Sequence, residues 1–385
     1  MQPSPMTKEL PADLRERLSL LIFDLDGVIT SERRYWEATK ATTVQLLESE
    51  AYLGLAGYFD LGAPGSTDLA ALEAAIHDLK GRGINSNWDK TFLMAGLHLV
   101  GVLRRRLEAD DAPAIRAAVG DGAAPLAGRL RALGGALGGR PCRSDVGAAA
   151  LEEFLATNAA LRGAALLDAL RPFAARQPGG ELLPLEHKGA LWQLCYELFQ
   201  GFYTGELAHP AFAAGPGGEE TVLPAEAIAA ALGSLAASGR YTLGVATGRP
   251  LDEVIGPLER AGLLRLFDPG RIVTIDDVFA AEAGLAGAFL GKPHPFSVLK
   301  AIDPGASAGA LLERADAPGA HRHVAYVGDS PSDVVAARRA GCTSVAVLTG
   351  ARRGEQDAAA AELAGLGCDA VIDSVLELPA LLGCG

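Results

Sequence analysis

The segment Leu21-Ile-Phe-Asp-Leu-Asp-Gly-Val-Ile-Thr30 places the tightest limit on what this chain can fold into. A short apolar run, Leu18 to Phe23, reads as a buried strand. It ends in two carboxylates, Asp24 and Asp26, and Gly27 lets the backbone turn sharply beyond them. In an open α/β sheet, ligands bind just outside the carboxyl ends of the strands. Two acids at that place suit a nucleophile and a proton donor acting on one substrate.

The C-terminal part alternates strand and helix. Strands are expected at Tyr241–Ala246, Arg271–Ile275, His323–Val327, Thr343–Leu348 and Ala370–Ile372. Helices are expected at Leu251–Leu263, Pro295–Ile302 and Pro331–Ala340. Such alternation gives a mostly parallel sheet flanked by helices. From Ser31 to Thr221 the pattern is helical instead, with helices expected at Arg33–Leu53, Thr67–Lys80, Trp88–Glu108, Ala148–Leu170 and Lys188–Tyr203. The Gly/Ala/Pro-rich stretches Gly120–Pro141 and Pro210–Gly218 read as flexible connectors. The expected organisation is therefore an α/β core, residues 1–30 and 222–385, interrupted by an all-helical insertion, residues 31–221.

Composition narrows the function. Hydrophobic residues make up 49% of the chain, which supports real cores. The formal net charge of −13 argues against nucleic acid or an anionic membrane as the main partner. The five cysteines are odd in number and widely spaced, without a CxxC pair, so neither a zinc site nor a disulfide framework is read. Met1–Arg17 is polar and lacks an apolar core of signal-peptide length, and no stretch approaches the ~18 apolar residues of a membrane span. A soluble, cytoplasmic protein, monomeric or homodimeric, is expected.

Four features fall near ends of expected core elements. They are Asp24/Asp26, the string Val245-Ala-Thr-Gly-Arg-Pro250, the string Gly291-Lys-Pro-His-Pro-Phe296 with Lys292 at a helix start, and Tyr326-Val-Gly-Asp-Ser-Pro-Ser-Asp333. A carboxylate that attacks a phosphate brings two anions together. Unit charges about 4 Å apart repel by roughly 4 kcal/mol at an effective dielectric near 20. Asp24, Asp329 and Asp333 form an all-oxygen set suited to Mg²⁺, which would offset that repulsion. Lys292 adds a fixed positive charge. Thr247 offers a hydroxyl, and backbone N–H groups such as that of Gly248 lie beside it. Asp26 would protonate the leaving alkoxide and then take a proton from water.

These motifs, in this order, resemble the haloacid dehalogenase superfamily over about half of the chain. The resemblance implies a Rossmann-like three-layer core, Mg²⁺ dependence and an aspartyl-phosphate intermediate. It implies Asp24 as nucleophile and Asp26 as acid/base, with the Asp26 carbonyl also on the metal. Thr247 and Lys292 would bind phosphate, Asp329 would ligate the metal, and Asp333 would ligate it or support its ligands. The insertion after the first motif is similar to the superfamily's helical cap of the first type, though longer than usual. The chain resembles members of the phosphoglycolate phosphatase and β-phosphoglucomutase kind.

Asp26 argues against the dehalogenase and phosphonatase branches, which lack it. A sugar phosphomutase of the β-phosphoglucomutase type carries a hinge histidine twelve residues after the nucleophile, where this chain has Trp36. A phosphatase acting on a small phosphorylated metabolite is therefore preferred, with a phosphomutase or a non-catalytic binding protein on the same fold as alternatives. Within the insertion, Asn87 either meets a polar leaving group or caps a helix, and Gln200 either contacts substrate or packs. Trp192, Tyr196, Phe199 and Tyr203 fall at helical spacing, which usually means core. Arg249 either binds an anion or pairs with a core acid.

Overall fold

The computed structural model describes residues 9–62, 66–107, 112–119, 124–137, 142–212, 220–285, 289–351 and 354–384. The chain divides into two compact units, one formed by Met1–Glu32 with Glu219–Gly385 and the other by Arg33–Gly218.

The first unit is built on six strands: β1 (Leu20–Phe23), β2 (Thr242–Ala246), β3 (Ile272–Val273), β4 (His321–Gly328), β5 (Cys342–Val347) and β6 (Ala370–Ile372). Their order in the sheet is β3-β2-β1-β4-β5-β6, and every pairing is parallel. The central strand β1 has Leu20–Phe23 opposite Thr242–Val245 on one side and opposite Val324–Val327 on the other. Side chains alternate across a strand, so two apolar layers result. Leu21, Phe23, Leu243, Val245, Ala325 and Val327 share one face. Leu20, Ile22, Ala246, Val324 and Tyr326 share the other. Helix Ala225–Ala237 covers the first face with Ile228, Leu232 and Leu235. Helices Phe296–Ile302 and Pro331–Arg339 cover the second. With helices on both faces the core has three layers, as an α/β Rossmann-like fold requires.

The chain leaves and re-enters this unit at one place. Thr30 pairs antiparallel with Thr221. Val222 N donates to Ile29 O at 3.0 Å, and Ser31 N donates to Glu220 O at 2.8 Å.

The second unit is all-helical. Its longest helix, Asn87–Leu107, is buried on nearly every face. It approaches helix Asp145–Thr157 closely because glycines meet there. A Cβ on Gly101 would stand 2.3 Å from Val146 O, and one on Gly147 would stand 2.0 Å from His98 Nδ1.

Several expectations need correction. Gly120–Pro141 is not simply a connector, since Leu126–Ala136 is helical and buries Leu130 and Leu133. Gly134 there lets the helix touch Leu53 O, where a Cβ would lie 2.0 Å away. Residues 120–123 and 138–141 of that stretch, and 213–218 of the other, lie outside the described residues. The helix expected over Ala148–Leu170 ends at Thr157, where Asn158 turns its side-chain amide back onto Phe154 O, and shorter helices follow at Ala164–Asp168 and Leu170–Ala175. The first helix of the insertion stops at Glu48, not Leu53. Helix Ile275–Ala283 takes Ile275 from the expected strand. Thr274 and Asp277 form a capping box at its start, a signal the sequence carried. Lys292 lies in the turn before helix Phe296–Ile302, not at its first residue.

Candidate active site

Three neighbouring strands deliver the central groups. Asp24 follows β1, Thr247 follows β2 and Asp329 follows β4. These strands lie side by side, so residues more than two hundred positions apart in sequence meet at one sheet edge. The turn after β1 is formed by Gly27 at φ +75°, with Gly27 N donating to Thr30 O at 2.8 Å. Gly27 and Gly350 both pack against Asp329. A Cβ on Gly27 would lie 2.1 Å from Asp329 Oδ2, and one on Gly350 only 1.7 Å.

Asp24 is 5% exposed. Lys292 Nζ stands 2.9 Å from Asp24 Oδ2 and 2.8 Å from Asp333 Oδ1. Oxygens of Asp24, Asp329 and Asp333 all lie within 4.8 Å of one another. Burial raises the Asp24 carboxyl to about 6. Lys292 opposes that rise, and Asp333 and Asp26 add to it. Burial alone would lower the Lys292 ammonium, but Asp24 and Asp333 hold it well above the usual lysine range. Counting Asp24, Asp26, Asp329 and Asp333 against Lys292 and Arg249 leaves two formal negative charges. An all-oxygen donor set with that surplus fits a hard divalent cation.

Asp333 is heavily engaged. Its Oδ1 accepts from Lys292 Nζ and, at 3.2 Å, from Tyr326 OH. Its Oδ2 accepts from Ser330 Oγ at 2.6 Å, Ser330 N at 3.1 Å and Asp329 N at 3.3 Å. A carboxylate offers about four lone-pair positions. Five donors therefore occupy Asp333 and fix the start of helix Pro331–Arg339.

Arg249 pairs with Asp26. Its guanidinium is 1% exposed, and Nε donates to Asp26 Oδ1 at 3.0 Å with Nη2 on the same oxygen. Nη1 donates to Glu253 O at 3.1 Å. The backbone N of Arg249 donates to Thr247 Oγ1 at 3.3 Å. Gly248 is exposed, with open space where a Cβ would sit.

The two candidates in the insertion lie within the helical unit. Asn87 Oδ1 accepts from Lys90 Nζ at 3.1 Å, and Gln200 Oε1 accepts from Trp88 Nε1 at 3.2 Å. Ser86 Oγ, not Asn87, receives Asp89 N at that helix start. Trp192 and Tyr196 stack with centroids 5.6 Å apart, as Phe199 does with Tyr35 at 6.0 Å, which is the packing their spacing predicts. Sequence reasoning missed Tyr326, Ser330, Glu253 and Gly350. Ser330 and Asp333 had a visible sign, since Ser-x-x-Asp before a helix is a capping pattern. Gly350 had none.

Among the described residues no helix is long and apolar enough to cross a membrane. Residues 289–378 match the family model described as HAD-hydrolase-like. None of the curated proteins matches the chain. One solved structure, an X-ray structure of a structural-genomics target, is 28% identical, with a TM-score of 0.66 over 95% of this chain and 98% of its own. A putative β-phosphoglucomutase from Bacteroides vulgatus is 14% identical, with a TM-score of 0.40 over 97% of this chain and 98% of its own. A predicted phosphoglycolate phosphatase from Haemophilus somnus is 15% identical, with a TM-score of 0.40 over 95% and 98%. Superpositions at 0.40 say nothing about this chain's chemistry. The match over residues 289–378 and the four motifs are similar to HAD-like hydrolases, and the strand order gives an α/β Rossmann-like core with an all-helical unit inserted after the first strand.

Proposed function

We propose that the chain is a Mg²⁺-dependent phosphomonoester hydrolase acting on a small phosphorylated metabolite. The observation that carries this reading is Lys292 Nζ held between Asp24 and Asp333, beside a carboxylate cluster no wider than 4.8 Å. Asp24 and Asp329 would hold the metal, with the Asp26 carbonyl. Asp333, with its lone pairs taken up, would hold Lys292 and the Asp329 backbone more than the ion itself. When bound, Mg²⁺ supplies charge neutralisation at the phosphoryl group.

The remaining steps belong to the chain's own residues. An Asp24 carboxylate oxygen attacks phosphorus, and the bond from phosphorus to the leaving oxygen breaks. Asp26 protonates that oxygen. Lys292 and Thr247 with the Gly248 N–H steady the phosphoryl oxygens. Asp26 then takes a proton from the water that attacks the aspartyl-phosphate, releasing inorganic phosphate and regenerating Asp24. Arg249 supports this scheme by holding one oxygen of Asp26 and leaving the other for proton transfer.

No observation favours the phosphomutase alternative. At the position of that branch's hinge histidine stands Trp36, which lies edge-on to His77 with centroids 4.5 Å apart. The test is phosphate release from a panel of phosphorylated metabolites, with Mg²⁺ and with EDTA. Mg²⁺-dependent release from some of them is expected. A folded protein with Mg²⁺ that releases none would overturn the reading.

A further inference from the structure

We infer that Tyr326 is a positioning residue for Lys292, acting through Asp333. This rests on the reading of Lys292 as the cation that meets the phosphoryl group.

Tyr326 stands on β4, three residues before Asp329, on the sheet face shared with Ile22 and Ala246. It is 1% exposed. Its hydroxyl lies 3.0 Å from Ala246 O, the residue before Thr247, and 3.2 Å from Asp333 Oδ1. That Asp333 oxygen is the one that takes Lys292. Lys292 Nζ also sits 5.5 Å from the centroid of the Tyr326 ring. The side chain thus touches the ammonium with its ring and the ammonium's counter-ion with its hydroxyl.

The chemistry follows from the donor count. Burial is the main reason the phenol stays well above the usual tyrosine range, so it remains a donor. Its one hydrogen is shared between a carbonyl and a carboxylate. Whatever charge it takes from Asp333 Oδ1 weakens that oxygen's hold on Lys292. The ammonium is then left more available to Asp24 and to an incoming phosphoryl oxygen. A phenyl ring at this position would keep the packing and lose the balance.

The experiment uses the full chain and Tyr326→Phe. The ¹⁵Nζ resonance of Lys292 is read in protein labelled at lysine and assigned by its loss in Lys292→Arg. Turnover of p-nitrophenyl phosphate with Mg²⁺ is read in parallel, alone and in the Lys292→Arg background. The Lys292 resonance should move, and kcat should fall roughly tenfold with KM changed by less than about twofold, as expected for one lost hydrogen bond to a charged group. In the Lys292→Arg background the same substitution should change kcat by less than about twofold. An unmoved resonance, or equal losses in both backgrounds, overturns the inference. If wild-type protein hydrolyses nothing, the proposed function fails while the resonance still decides the positioning. If Tyr326→Phe does not fold, 3-fluorotyrosine at position 326 keeps the shape and changes donor strength, and the resonance must move with it.

Discussion

Asp26 and Arg249 are 223 positions apart and share one oxygen: Nε and Nη2 of the arginine both point at Asp26 Oδ1. The guanidinium is the more deeply buried partner, and the carboxylate keeps 18% of its side-chain surface. Arg249 is therefore held in the interior, while the Asp26 side chain stays partly exposed. A guanidinium suits this task because its planar fork can hold one oxygen with two N–H groups and reach Glu253 O with a third.

Arg249→Met should therefore cost both stability and turnover. Removing one partner of a buried pair costs about 3 kcal/mol, here reduced by the exposure of Asp26. Loss of a well-held proton-transfer group lowers kcat by on the order of 10²-fold. Arg249→Lys should recover the charge but not the two-pronged grip, and sit between. Urea unfolding followed by circular dichroism, with phosphate-release kinetics, checks both; a variant with wild-type kcat would show that Asp26 needs no such hold.

Asp24→Asn keeps the shape of the side chain and the fold but removes the carboxylate proposed to attack phosphorus. Turnover should drop by on the order of 10³-fold or more. Steady-state phosphate release with a melting curve on the same sample decides it, and activity near wild type would rule Asp24 out.

Gly350→Ala places a methyl group where Asp329 Oδ2 now sits. Asp329 must shift, and the Mg²⁺ concentration for half-activation should rise on the order of tenfold, the size typical of disturbing a residue that supports a metal ligand. Titrating activity against Mg²⁺ reads this directly. Gly27→Ala meets the same oxygen and adds the strain of its positive φ, so it should be the worse of the two.

Acid should loosen the helical unit through His98. His98 is buried, its Nδ1 lies 3.0 Å from Tyr58 OH, and burial pushes the imidazole down to about 4. An unfolded histidine titrates near ~6.5, so the unfolded chain binds the extra proton first. The stabilisation is fully present above that value and is lost as pH falls from ~6.5 towards 4, about 3 kcal/mol in total. Trp36, Trp88 and Trp192 all lie in the helical unit, so tryptophan fluorescence in urea reports on it selectively. His98→Gln should flatten the pH dependence; an unchanged slope would assign the effect elsewhere.

The core was legible because a parallel strand buried on both faces must be a continuous apolar run, and its chemistry must sit at the next residue. Asp24, Thr247 and Asp329 each obey that rule. The expected ends of these strands differ from the observed ones by at most two residues. What escaped was anything decided by close approach in space. Leu126–Ala136 looked like a linker because its glycines dilute the apolar pattern, yet Gly134 is there to let Leu53 O come near. The contact of Arg249 depended on how the turn at Gly27 places Asp26, which no spacing encodes. Tyr326 read as one more β-strand apolar residue, and only the distance of its hydroxyl from Asp333 sets it apart.

The pairing of Thr30 with Thr221 has a consequence for how such a chain can change. To the sheet, everything between those two threonines is a single hairpin loop, however many residues it contains. Loop-closure cost grows only with the logarithm of length, so helices can be added to or cut from the excursion without moving β1 against its neighbours. The clasp is a graft point: the sheet unit and the helical unit can be edited on separate schedules.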